Sequence, residues 1–166
     1  MEWLIGIAVV ALVIFFLANG RRDTVPTVRQ HTRSAQERAK SLPEDEKDEL
    51  SAEVRELALE QYDMASAKAK EAGKDDAFAH QVGVLRAVSA VIVQGERVDP
   101  YREQELQMET VPFNKLPPDE GRRAVSEYLV YKFFPDRADE RSFSPALASF
   151  KRQLSADAEK QNDPDG

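Results

Sequence analysis

The chain predicts an all-α protein, with a single N-terminal transmembrane helix followed by a small helical domain of about four helices. Three observations carry that expectation. Residues Trp3 to Gly20 form an 18-residue run without a charge. Farther on, apolar residues return at helical spacing behind capping residues. Prolines gather in the stretches between those segments, at Pro100, Pro112 and Pro117 and again at Pro135.

The first element is the anchor. Eighteen residues at about 1.5 Å each span about 27 Å, close to the ~30 Å hydrocarbon layer of a bilayer. Trp3, Leu4, Ile5, Leu12, Ile14, Phe15, Phe16 and Leu17 supply its lipid-facing bulk, and Trp3 suits the interface. A cleaved secretory signal fits less well. Glu2 stands where such signals carry a positive charge, and a cut after Ala18 would leave Phe16 where a small residue is preferred. A buried core helix would need an amphipathic pattern that this run lacks.

Arg21 and Arg22 follow the run directly, then Arg29, Arg33, Arg38 and Lys40, with no Lys or Arg before it. By the positive-inside rule the N-terminus faces outward and the body lies in the cytoplasm. The expectation is therefore a single-pass signal-anchor protein of the plasma or inner membrane. Its parts are an anchor at 3–20, a basic juxtamembrane linker at 21–40, an all-α cytoplasmic domain at 41–155 and a disordered polar tail at 156–166. A weak helix over 28–40 is compatible with the linker.

Ser41, Pro43 and Glu44 predict a helix start, with Ser41 as cap and Glu44 completing a capping box. Leu50, Val54, Leu57, Ala58, Gln61 or Tyr62, and Ala65 make its apolar stripe, with a break allowed near Ser51. Gly73 stops it, and Lys68, Lys70 and Lys74 complement its carbonyl end. Asp75 or Asp76 caps a second helix over 77–94, apolar on most sides and so expected to be central and buried. Val91, Ile92 and Val93 alone would also suit a strand, but the uninterrupted length favours helix. The short connection makes the two helices an antiparallel hairpin.

Residues 96–117 are irregular, with a short polar helix expected over 101–109. A third helix runs from Asp119 to Phe134 and ends at Pro135. A fourth starts at Ser144 and Pro145 as cap and first residue, with Leu147, Phe150 and Leu154 on its apolar face.

Composition narrows the chemistry. The 166 residues carry a net charge of −7 and no cysteine, which excludes disulfides, thiolate metal sites and cysteine nucleophiles. Arg21 to Lys40 is basic, as an anionic inner leaflet favours. Ser41 to Asp63 is strongly acidic, and such a body argues against nucleic acid as the partner. His31 and His80 share no metal-ligand spacing, and His80 reads as a satisfied core or boundary histidine. No phosphate loop, nucleophile elbow or calcium loop is present, the paired carboxylates sit at helix starts, and no cofactor is expected.

The leading expectation is a non-enzymatic interaction or assembly protein that presents its helical domain to cytoplasmic or membrane partners, with the bilayer and a protein as partners. Homo-oligomerisation through the long first helix is compatible with the pattern. The alternative is a membrane-associated enzyme whose site assembles only in three dimensions. Arg122, Arg123, Tyr128 and Tyr131 are the candidate partner contacts. Arg122 and Arg123 sit against the dipole preference of a helix start. Tyr128 and Tyr131 belong to an aromatic set with Phe113, Phe133, Phe134, Phe143 and Phe150 that suits either a core or an exposed groove.

Overall fold

A computed structural model of the chain describes residues 36–92 and 108–161, with side chains through Ala158. The anchor residues 3–20 and the topology signal Arg21 and Arg22 lie outside the described residues. Among the described residues no helix is long and apolar enough to cross a membrane. The described residues are all-helical, with no strand: four long α-helices, one 3-10 turn, and helical residues at 36–39 and 108–110.

Helix α1 spans Glu44–Glu71 without a break. Its first turn holds Glu44, Asp45 and Glu46, and its last turn Lys68 and Lys70, so side-chain charge opposes the dipole at both ends. The expected capping box does not form. Pro43 is the N-cap residue, with no side-chain hydrogen bond, and the Ser41 hydroxyl instead donates to the Arg38 carbonyl at 2.7 Å. Ser41 thus follows the helical residues 36–39, whose Ala39 is buried in the core. At Ser51 the hydroxyl bonds back to the Asp48 carbonyl and stays within a continuous helix.

The far end of α1 stops as expected. Gly73 adopts φ +75°, a conformation that costs a residue with a Cβ about 1–2 kcal/mol. The Lys74 amide donates to Ala69 and the Gly73 amide to Lys70, a Schellman pair that satisfies the last carbonyls. The Asp75 carboxylate then accepts the Phe78 amide at 2.8 Å and starts α2, Asp76–Ile92. Helix continues through Ile92, so residues 91 and 92 are not strand; Val93 lies outside the described residues.

Helix α2 packs on α1 and on α3, Pro118–Phe133. Val54, Ala58, Val84, Val88, Val91, Val125, Leu129 and Val130 are sealed between these three helices. Full burial of such a side chain stabilises by roughly 1.5–3 kcal/mol, against roughly 0–1 for an exposed ion pair. The apolar triangle therefore sets the fold. Helix α2 is less enclosed than its composition suggests, because Phe78 and Leu85 lie 45% and 40% exposed on its outer side.

Of the polar helix expected at 101–109, residues 101–107 lie outside the described residues and 108–110 are helical. Pro118 occupies the first position of α3, and Phe134 closes it by donating its amide to Val130. A 3-10 turn at Pro135–Arg137 follows.

The last helix, α4, is Glu140–Gln161, longer at both ends than expected. Asp139 takes the capping role given to Ser144: its carboxylate accepts from the Ser142 hydroxyl at 2.7 Å and the Arg141 amide at 3.3 Å. Pro145 consequently lies inside the helix. Residues 156–161, read as tail, continue it. Leu154 is 46% exposed and does not join the core.

Candidate functional site

The four residues nominated from the sequence all lie on α3, and the structure turns them in different directions. Arg122 points at α1, where its guanidinium grips Asp63 with two bonds of 2.6 and 2.5 Å. Arg123 points at α4 and meets Asp139 at 2.9 Å. Both pairs are largely solvent-exposed. The arginines that run against the α3 dipole are thus each answered by a carboxylate from another element.

Tyr128 is mostly enclosed. Its hydroxyl donates to Glu109 at 2.5 Å, and Lys132 bonds the other Glu109 oxygen at 2.8 Å while lying 5.1 Å over the ring. Burial first, and then the Glu109 carboxylate, push the phenol above its ordinary range. Tyr131 sits at the surface with its ring 5.2 Å from Phe143, whose other neighbour is Tyr128 at 5.7 Å. Phe113, Phe133, Phe134 and Phe143 are buried, so most of the aromatic set is core.

A groove of about 540 Å³ runs between the start of α3 and the start of α4. Leu116, Pro145 and Ala146 provide its apolar walls, and Glu120, Arg123, Asp139 and Arg141 its charged rim. Both Asp139 oxygens are engaged, and its carboxyl is held below the usual range by the Ser142 hydroxyl first, with help from the Arg141 amide and Arg123. Among the described residues the Arg141 guanidinium has no carboxylate partner. Arg123 is the one nominated residue that lines this groove. Neither a family model, nor a curated protein, nor a solved structure matches the chain.

Beneath the groove a polar network fixes the corner between α3 and α4. Glu127, 8% exposed, accepts Arg55 at 2.6 Å and the Asp139 amide at 2.9 Å. Arg55 also donates to the Arg137 carbonyl at 3.0 Å, and Arg137 in turn binds Asp48 at 2.6 Å and Glu44. Sequence reading missed Glu127, Asp139 and Arg141 as partners. The spacing of Asp139 and Ser142, a cap and the third helical residue, was the local signal for that corner.

His80 is buried and satisfied, as expected. Its Nε2 faces the Phe113 carbonyl at 2.9 Å, which can only accept, so Nε2 carries the hydrogen. Nδ1 then accepts the Tyr62 hydroxyl at 2.6 Å, and that hydroxyl also lies 3.3 Å from the Pro118 carbonyl. Burial, with the Asp63 charge second, raises the Tyr62 phenol to about 12. Two glycines let this pair in. A Cβ at Gly83 would lie 2.8 Å from the Tyr62 ring, and one at Gly121 would collide with the His80 imidazole. His31 lies outside the described residues. Among the described residues no group of three or more His, Asp or Glu is arranged to hold a metal ion.

Proposed function

We propose that this chain is a membrane-tethered, non-enzymatic interaction protein. In this reading residues 3–20 cross the bilayer with the N-terminus outside, and the helical domain is held on the cytoplasmic side. The observation that carries it is the charge-free run from Trp3 to Gly20 with Arg21 and Arg22 behind it. Leaving such a run in water would forgo most of its transfer free energy, and the paired arginines oppose the reverse orientation. Tethering raises the effective concentration of the domain at the membrane, so contacts of modest affinity suffice.

The α3–α4 face supports the partner half of the reading. It joins an apolar groove to a rim where, among the described residues, the Arg141 guanidinium has no carboxylate partner, a mixture that suits a transient protein contact. Because the chain has no cysteine, Gly166→Cys gives a single reporter. A membrane-impermeant maleimide should label it only after lysis, and carbonate washing should leave the chain in the membrane fraction. Labelling of intact cells would overturn the topology. Recovery of the chain, cut after residue 18, in the aqueous fraction would overturn the tether.

A further inference from the structure

We infer that α2 is a second membrane contact: its outer side lies on the lipid interface and docks the domain against the bilayer to which the chain is tethered. Phe78, Val82 and Leu85 recur at intervals of four and three residues and so share one side of the helix. Val84, Val88 and Val91 are sealed in the core, whereas Phe78 and Leu85 are exposed and Val82 is half-buried. Scattered apolar side chains are ordinary at a protein surface, but an aligned set on one helix marks a contact.

The charges beside this stripe suit phosphate head groups. Lys74 lies 5.6 Å over the Phe78 ring, and Arg86 bonds the neutral Gln61 at 3.1 Å. Among the described residues neither has a carboxylate partner, so each can lay its stem along the apolar side chains and hold its charge at the phosphates. Of the acids at this corner, Asp76 is paired with Lys70 at 2.8 Å, Asp75 accepts the Phe78 amide, and Glu71 is the third. Residues 64–92 thus carry four Lys and Arg against three Asp and Glu, whereas 44–63 carry two against nine. The domain is strongly acidic at one end, and the apolar stripe sits in the part that is not. A helix with exposed apolar residues and cations beside them settles about 5–10 Å into the boundary between head groups and acyl chains.

The chain outside the described residues names the occupant. Residues 3–20, read as the anchor, place lipid at high effective concentration beside the domain, and the docking rests on that reading. Residues 21–35 reach about 50 Å at full extension. Helix α1 has 28 residues and is about 42 Å long, so the hairpin end that carries Lys74 and Phe78 can come down on the same surface. No residue of α2 lines the groove between α3 and α4, so docking leaves that groove open to a protein.

Single nitroxide labels on the full chain test the docking, in phosphatidylcholine vesicles that contain phosphatidylglycerol and far more lipid than protein. Gln81→Cys reports from between Phe78 and Leu85, and Asp157→Cys from the exposed end of α4. The label at 81 should lose collisions with a water-soluble nickel complex and gain them with oxygen, relative to the label at 157. Adding Phe78→Glu and Leu85→Glu should abolish that difference. Both replaced side chains are exposed, and the comparison of 81 with 157 stands without them. Equal aqueous exposure at the two positions would overturn the docking. Shielding at 81 that survives the glutamates, or that vanishes on dilution with more lipid, would assign the cover to a second copy and overturn it as well. A chain that no longer floats with the vesicles after carbonate has lost the tether, and the docking with it, whereas a floating chain with an aqueous label keeps the tether and refutes the docking alone.

Discussion

Replacing Gly121 by alanine tests whether the Tyr62–His80 pair is as tightly fixed as its geometry implies. In an unconstrained helix the change stabilises by up to about 1 kcal/mol, because alanine loses less backbone entropy on folding. Here the new methyl group meets the His80 imidazole and lies 3.3 Å from the Phe113 carbonyl. The ring cannot swing aside freely, since Nδ1 and Nε2 are both bonded and the residue is 2% exposed. Overpacking costs about 1–3 kcal/mol, and breaking one buried hydrogen bond to make room costs about 1–3 more. Against the propensity gain, the net loss is about 1–5 kcal/mol, or a fall in Tm of about 4–20 °C for a domain of this size. Urea and thermal denaturation of the full chain in detergent, followed by circular dichroism, read it. In a His80→Ala background the same Gly121→Ala change should cost much less, because the clashing ring is gone and only the 3.3 Å contact with the Phe113 carbonyl remains. A Gly121→Ala chain as stable as its parent, or a cost undiminished without the imidazole, would refute the reasoning.

The same geometry sets three further outcomes. Glu127→Ala should destabilise by about 2 kcal/mol in urea melts: it strands the Arg55 guanidinium and the Asp139 amide, and the figure sits below that for a fully buried pair because Arg55 is 32% exposed. Arg122→Ala, by contrast, breaks only a solvent-exposed pair and should change stability by less than about 0.5 kcal/mol, measured the same way. In alkali the sign is negative. Below pH 10 the Tyr62 phenol is protonated in both states; from 10 to about 12 the unfolded chain releases the proton and the folded chain keeps it, so stability falls with rising pH. Phenolate absorbance should therefore show Tyr62 ionising late and jointly with unfolding, and Tyr62→Phe should weaken that alkaline dependence.

Much of the fold was legible because its signals are local and have a single reading. A glycine after a lysine-rich helix end, followed by an aspartate, specifies the stop at Gly73 and the restart at Asp75 through backbone stereochemistry alone. Pro135 ends α3 for the same kind of reason. Where one residue can serve two elements, the sequence left the choice open. Ser41 can cap the helix after it or close the turn before it, and the burial of Ala39 decides for the turn. Pro145 suits a first helical position, but Asp139 nucleates the helix one turn earlier, and the chain tolerates one missing bond in exchange for seating Phe143.

The candidate site was less legible, because its pairings cross long stretches of chain. Arg122 finds Asp63 across 59 residues and Arg55 finds Glu127 across 72, separations that no local pattern encodes. Charge patterning identified Arg122 and Arg123 as unusual for a helix start, and three-dimensional packing supplied the carboxylates that answer them. The same packing separates two roles that the aromatic residues shared in the sequence. Phe113, Phe133, Phe134 and Phe143 close the interior, with Tyr128 packed between Phe113 and Phe143, whereas Tyr131 stays at the surface. The aromatic residues were therefore legible as a set but not by role, because only packing across the helices decides which ring faces inward.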